Sequence, residues 1–511
     1  MNGAESLVRT LVAGGVDVCF TNPGTSEMHF VAALDRVEEM RSILVLFEGI
    51  ATGAADGYFR MTDKPASTLL HLAPGLANAQ ANIHNAKKAS SGMLNIIGEH
   101  ASWHLKHDAP LTADIEGLAR PFSHWIKTSA NSKAIAQDAV RAIQESRKSR
   151  IASLILPGDT AWEEGTGPAA TPDSTPAPRT SGAVEQAARA LMSNEKKIMI
   201  LGGRALRGKA LEIAGRIAGK TGAVLATQFF SSRVERGAGR VPTYRIPYFV
   251  DPALAALKDF RHFVTVETRE PVSFFAYPNK PSLLKPEGAQ VHEVCPPGDD
   301  SLAALEALAE AVGAKASDAP HQERTSDGLP SGKITPQAIA QILAVLIPEN
   351  AIIVDESLTT GRESIGVTAG ASPHDWLQNM GGSIGFGIPV ATGCGVACPD
   401  RRVINLEGDG SAMYTIQGLW TQAREQLPVT TMIFANRAYQ ILRTEFAGVG
   451  AGAPGPRAAA MMSLENPTMD FVAMSRSMGV PAVRAETCED LIRAFKAYIA
   501  EPGPNLIEVV L

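Results

Sequence analysis

Apolar positions along the chain cluster into short runs rich in Val, Ile and Leu. Each run closes on Gly, Pro or Asn before a stretch of helical periodicity begins. Residues 17–24 (DVCFTNPG), 42–49 (SILVLFEG), 66–75 (ASTLLHLAPG), 93–100 and 151–158 form a first set. A second set occupies 196–203 (KKIMILGG), 222–228, 262–268 and 289–297, and a third 351–357 (AIIVDES), 401–410 (RRVINLEGDG), 429–436 (VTTMIFAN) and 505–511. Runs this uniformly apolar lack the alternation of a half-solvated strand, so they read as strands buried on both faces of parallel sheets. Two polar stretches dense in small residues and Pro, Glu163–Ala183 and Ala314–Thr335, separate the sets as linkers. The pattern predicts an α/β protein of three consecutive doubly wound parallel-sheet domains, at 1–165, 183–313 and 334–511. Ligands of such sheets bind at the carboxyl ends of the strands, which directs attention to the residues closing each run.

Composition narrows the class. At 511 residues, 45% of them hydrophobic and 20% charged, the chain is large enough for several cores and ordinary for a soluble protein. Its formal charge of −6 leaves no basic footprint, so nucleic acid is not expected as a partner. Five scattered cysteines suggest no disulfide framework and make a reducing cytoplasm the expected location. Cys394 and Cys398 read as buried small apolar residues, with no second pair to complete a zinc site. The first eighteen residues carry Glu5 and Arg9 and read as an amphipathic helix, not a signal peptide. No run of apolar residues is long enough to span a membrane. His100 and His104, four apart with His107 nearby, lack the HExxH glutamate and precede Pro110, so a polar loop is expected there.

The informative strand end is VINLE followed by Gly408, Asp409, Gly410 and Ser411. Glycines and a helix start suit a phosphate, yet an aspartate there would repel one unless a cation bridged them. Asn436 closes a second run, with 25 residues between Gly410 and Asn436. A carboxylate, an amide oxygen, a backbone carbonyl and phosphate oxygens make a hard-oxygen set suited to Mg²⁺. Taken residue by residue, the same segment is also a Gly-rich turn with an N-cap Asp.

The spaced GDG and Asn resemble the signature of thiamine-diphosphate (ThDP) enzymes of the pyruvate decarboxylase, benzoylformate decarboxylase and acetolactate synthase group. The family's usual Asn-Asn is here Ala435-Asn436. By that resemblance Asp409, Asn436 and the carbonyl of Ala438 would ligate Mg²⁺, with Gly408, Gly410, Ser411 and Tyr439 beside the cofactor. Glu48, in LVLFEGIATGAADGY, matches the glutamate that drives the aminopyrimidine to its imino tautomer, which deprotonates thiazolium C2. TNPGTSEMHF resembles the family's NPG loop, which implies cofactor contacts from Pro23 and Gly24 and puts Thr25 or Ser26 where benzoylformate decarboxylase has an active-site serine. LLHLAPGLANAQANIHNA matches a decarboxylase segment, implying a proton-shuttling or substrate-positioning role for His71 and a cofactor contact for Asn78. NMGGSIGFGIPVATG resembles the segment that bends the cofactor, with Ile384 as wedge and the Gly382 carbonyl on the aminopyrimidine. DESLTTG matches the diphosphate loop through Ser357.

These residues imply a ThDP- and Mg²⁺-dependent lyase that decarboxylates a small 2-oxo acid through a ThDP enamine. The alternative is an acetolactate-synthase-like carboligase joining that enamine to a second carbonyl. His71 favours the decarboxylase, because acetolactate synthases generally lack that histidine. The stretch at 269–286 (REPVSFFAYPNKPSLLKP) has none where benzoylformate decarboxylase carries its second, with Ala276 or its neighbours in that place. Ile441 narrows the pocket toward an aliphatic substrate, and Glu445, one turn on, is an unusual wall residue suited to a polar substrate group. A non-catalytic homologue would account for the drift at Ala435 and Glu445, but not for the retention of Glu48. The turn at 200–208 (ILGGRALRG) is not GxGxxG, and FAD is not expected. The resemblance further implies a homodimer or dimer of dimers with the active site at the subunit interface.

Overall fold

The structure, a computed structural model, describes residues 1–170, 181–325 and 328–511. Much of the first linker and a little of the second therefore lie outside the described residues. Three sheets carry the chain. The first has six parallel strands in the order Arg41–Leu44, Val18–Asn22, Ala66–Leu70, Met93–Glu99, Ile151–Pro157 and Trp125–Thr128. The second runs Tyr244–Arg245, Val224–Thr227, Lys197–Leu201, His262–Val266 and Gln290–Cys295, again all parallel. The third orders Ala482–Ala485, Asn505–Val510, Val429–Ala435, Val403–Gly408, Ile352–Glu356, His374–Gln378 and Val234–Arg236.

That last strand comes from the middle of the chain and pairs antiparallel with His374–Gln378. The expected middle unit, 183–313, thus lends a strand to the third sheet. Val234–Arg236 has no long apolar run, since an edge strand needs no second buried face. Most predicted runs lie in central strands and are buried along their length, as in Ala66–Leu70, Ile151–Pro157 and Val429–Ala435. The first helix, Gly3–Ala13, is capped by Asn2, whose side chain accepts from Glu5 N at 2.9 Å. Among the described residues no helix is long and apolar enough to cross a membrane.

The first and third sheets meet through two helices rich in small residues, Glu48–Thr62 and Gly387–Ala397. Gly53 lies on Pro389 and Gly57 on the Val390 carbonyl so closely that neither position has room for a Cβ. Cys394 sits in this seam, fully buried, its thiol aimed at the Gly57 carbonyl and its pKa pushed up by burial. Arg60 locks the junction. Its guanidinium holds Asp56 through two bonds of 2.8 and 2.7 Å and donates to the carbonyls of Ser232 (3.1 Å) and Gln378 (2.8 Å). One buried cation thereby ties the first sheet's helix to the middle segment and the third sheet.

Candidate active site

The first sheet ends in a cluster built on Asn22–Glu27. The strand Val18–Asn22 stops at Pro23, and a single 3-10 turn, Thr25–Glu27, follows. Glu27 is fully buried. Its Oε2 accepts from Gly24 N at 2.9 Å and lies 2.8 Å from His71 Nδ1. A carboxylate can only accept, so Nδ1 carries the proton and donates, leaving Nε2 of His71 free. The ring presses on Gly24 closely enough to exclude any Cβ there. Glu27 Oε1 has no hydrogen-bond partner among the described residues. Sequence reasoning missed Glu27; its signal was the three-residue step from Gly24 that ties a turn to its own side chain. Thr25 is exposed and Ser26 half-buried, and neither hydroxyl has a hydrogen bond among the described residues.

Glu48 opens the helix Glu48–Thr62 and is 6% exposed. Its Oε2 accepts from Asn78 Nδ2 at 3.1 Å, so Asn78 holds the carboxylate directly. Gly75, one turn into the helix that His71 begins, lies against both Glu48 Oε1 and the His71 side chain. Glu48, His71, Asn78 and Glu27 therefore form one acidic corner with an imidazole at its edge.

The third sheet carries the second cluster. Gly408 precedes the short helix Asp409–Thr415, and the adjacent strand delivers Asn436 beside it. Asp409 Oδ1 accepts from Gly410 N at 2.8 Å and Oδ2 from Arg437 N at 2.5 Å, joining the two loops. Burial pushes its pKa up, and those N–H groups pull it back down. Asn436 Oδ1 accepts from Ala438 N at 3.0 Å, and the Tyr439 ring covers Gly410. Ser411 Oγ is buried with no partner among the described residues. An orphaned hydroxyl beside a Gly-rich helix start, next to a buried carboxylate and an amide oxygen, fits a diphosphate bridged by a divalent cation. The expected Ser357 contact differs: its hydroxyl donates to Asp355 Oδ1 at 2.5 Å.

Gly382, at φ +74°, adopts the left-handed conformation that glycine tolerates, and its N–H donates to Asn379 Oδ1 at 2.8 Å. Ile384 is half-buried just beyond it. Glu356 fixes the backbone after Ile384, accepting from Gly385 N (3.2 Å), Phe386 N (2.8 Å) and Gly387 N (2.8 Å). Glu407 is its register partner on the neighbouring strand. Burial pushes both carboxyls up, Glu407 further through the charge of Glu356. The two acids hold the wedge segment against the strand that leads into Gly408–Gly410, and sequence reasoning found neither.

Residues 1–118 match the family described as thiamine pyrophosphate enzyme, N-terminal TPP binding domain, and residues 365–509 match its C-terminal TPP binding domain. The chain is 50% identical to the Mycobacterium tuberculosis protein named "Putative acetolactate synthase large subunit IlvX", over 100% of this chain and 99% of that one. The chain belongs to the thiamine pyrophosphate enzymes. It is also 29% identical to a benzoylformate decarboxylase of Pseudomonas aeruginosa, covering 97% of this chain and 96% of the other. The solved ThDP-dependent 4-hydroxybenzoylformate decarboxylase of Rhodococcus jostii RHA1 superposes with a TM-score of 0.84 at 25% identity, over 99% of this chain and 98% of that one. This protein is thus a ThDP enzyme of the decarboxylase or acetolactate synthase kind.

Nothing suggests FAD in this ThDP enzyme. At the Gly-rich turn after Lys197–Leu201, Glu267 occupies the position a phosphate would need, accepting from the N–H groups of Arg204 and Ala205. The 269–286 stretch, which lacks the second histidine, instead brings Phe274 against Gly382 and Tyr277 against Glu445, with Tyr277 Oη donating to Glu445 Oε2 at 2.9 Å. Ile441 and Glu445 share one face of the helix Gln440–Gly448. His100, His104 and His107 stand in a looped segment, their rings 5.3 and 5.8 Å apart.

Proposed function

We propose that this protein uses ThDP and Mg²⁺ to remove CO₂ from a small 2-oxo acid, a lyase reaction that ends in an aldehyde. The observation that carries the reading is the pairing of His71 with buried Glu27 beside Glu48, because it gives a proton-handling imidazole next to the cofactor-activating carboxylate. Asp409, Asn436 and the Ala438 carbonyl would hold the metal, Ser411 and the Gly408–Gly410 backbone the diphosphate, and Gly382 and Ile384 the bent ring pair. ThDP supplies the carbon that adds to the 2-oxo group and takes up the electron pair left by CO₂. Glu48 manages the aminopyrimidine proton, Asn78 orients Glu48, and His71 Nε2 exchanges a proton with the reacting carbon or its oxygen.

No hydrogen bond within the chain joins the Glu48–His71 corner to the Asp409–Asn436 loop among the described residues. That separation supports a homodimer, or a dimer of dimers, in which one subunit's Glu48 completes the other's metal site. A carboligase is the second reading, favoured by the name of the Mycobacterium tuberculosis relative. Incubation with ThDP, Mg²⁺ and a panel of 2-oxo acids, with and without an aldehyde acceptor, tests both. CO₂ with free aldehyde supports the lyase, and acyloin or a 2-hydroxy-3-oxo acid supports the carboligase. Absence of CO₂ from every acid refutes the proposal.

A further inference from the structure

Glu445 is a carboxylate in the wrong place for a structural role. It is 8% exposed, on the helix that leaves the metal loop, one turn beyond Ile441 on the same face. Its Oε2 is held by Tyr277 Oη at 2.9 Å, and the Tyr248 hydroxyl lies against the same carboxylate. Its Oε1 is buried without any hydrogen bond, and no ion pair reaches Glu445 among the described residues. A buried carboxylate oxygen left unpaired costs several kcal/mol unless something else satisfies it.

Its neighbours point to a ligand. Tyr248 contacts Phe274 at 5.8 Å between ring centroids, and Phe274 in turn covers Gly382, where the bent cofactor is expected. Two aromatic rings, Tyr248 and Phe274, therefore connect the carboxylate to that segment. Arg362, 5.1 Å over Tyr248 and 4.7 Å over Phe249, stacks on those rings and forms no ion pair with Glu445 among the described residues. Burial, then the hydrogen bond to Glu445 and its charge, push the Tyr277 phenol up to about 12, so Tyr277 stays a donor. Tyr277 thus points its proton at Oε2, and Oε1 is left as the open acceptor.

We propose that Glu445, fixed by Tyr277, selects the substrate: a 2-oxo acid whose tail ends in a hydrogen-bond donor, a hydroxyl or a cationic nitrogen, that binds Glu445 Oε1. This rests on the 2-oxo acid reading above and names the substrate class for that site. Ile441 on the same face limits the width of the tail, and the aromatic rings of Tyr248 and Phe274 suit either a methylene chain or a cation.

The test compares isosteric pairs of 2-oxo acids by CO₂ release with ThDP and Mg²⁺ present. The pairs are 4-hydroxy-2-oxobutanoate against 2-oxopentanoate, 5-hydroxy-2-oxopentanoate against 2-oxohexanoate, and 5-guanidino-2-oxopentanoate against 7-methyl-2-oxooctanoate. The native protein should favour the donor-bearing member of at least one pair by about tenfold to a hundredfold in kcat/KM, the worth of one hydrogen bond to a charged group. The hydroxyl and guanidino arms separate the two sources of the donor. Glu445→Leu should abolish or invert that ratio, Glu445→Gln should keep part of a hydroxyl preference and lose a cationic one, and Tyr277→Phe should shrink the ratio. ThDP affinity, read by fluorescence quenching, should not change in any of the three, which separates lost selectivity from lost fold. Equal kcat/KM within every pair, or a Glu445→Leu ratio equal to the native one, overturns the inference and leaves the 2-oxo acid reading standing. CO₂ release from no acid at all overturns that reading and this one together.

Discussion

Glu407→Gln should make the protein less sensitive to rising pH while preserving its fold. Glu356 and Glu407 are register partners on adjacent strands, both fully buried, and no lysine, arginine or histidine pairs with either among the described residues. Burial raises both carboxyls, and the charge of Glu356 raises Glu407 further. In the unfolded chain both ionise in the ordinary carboxylate range, whereas the folded pair keeps a proton well above it. Groups with raised folded pKa values contribute stability that is fully present below the unfolded pKa and is lost as pH rises. The loss is about 1.4 kcal/mol per pH unit per retained proton, so about 2.7 kcal/mol between pH 5 and 7. At roughly 2–4 °C per kcal/mol for a domain of this size, that is a fall of about 5–10 °C in Tm. A glutamine has the same shape, donates its N–H to Glu356 as the protonated acid would, and never ionises. Thermal unfolding of the cofactor-free protein across pH 5–8 by circular dichroism is the assay, read as native minus variant. Glu99, Glu267 and Asp409, whose pKa values burial also raises, contribute equally to both proteins and cancel. Parallel Tm-against-pH curves for the two proteins would refute the shared-proton account.

Other perturbations probe the site and its scaffold. Glu48→Gln should lower kcat by at least about a hundredfold, the usual contribution of a positioned acid–base group, while ThDP still binds; turnover near the native rate would remove Glu48 from the mechanism. Asp409→Ala should remove the Mg²⁺ dependence of ThDP affinity in equilibrium dialysis, and unchanged dependence would move the metal elsewhere. Glu27→Gln should reduce kcat/KM by about tenfold or more through a less firmly held His71, with ThDP affinity intact; loss of cofactor instead would make Glu27 part of its binding site. Arg60→Leu leaves Asp56 buried without its cation, held only by the Ser91 hydroxyl, so denaturant unfolding should show a loss of about 3–5 kcal/mol, and a loss below about 1 kcal/mol would show that the junction relaxes around the gap.

The parts of this protein legible in its sequence are those where one physical signal is local. A strand buried on both faces is predominantly apolar, so Ala66–Leu70, Ile151–Pro157 and Val429–Ala435 announce themselves, and with them the residues at their carboxyl ends. The edge strands Trp125–Thr128 and Val234–Arg236 have no such constraint and left no mark. Four carboxylates escaped for a different reason. Glu27 finds His71 44 residues away, Glu267 finds the turn at Arg204 across 63, and Glu356 meets Glu407 only through strand register. Glu27, Glu267 and Glu356 become meaningful only once the fold sets them beside backbone N–H groups, and Glu407 only once it meets Glu356. Together they explain where a phosphate goes. Glu267 fills the Gly-rich turn of the middle sheet and Glu356 fills the N–H groups at Gly385–Gly387, so both helix starts are already occupied by the chain's own anions. At Gly408–Ser411 the chain's own carboxylate, Asp409, takes the N–H groups of Gly410 and Arg437, but Ser411 Oγ is left without a partner among the described residues. Of these three helix starts, the one beside Asn436 keeps an unpartnered hydroxyl donor, and that is the one that suits a phosphate.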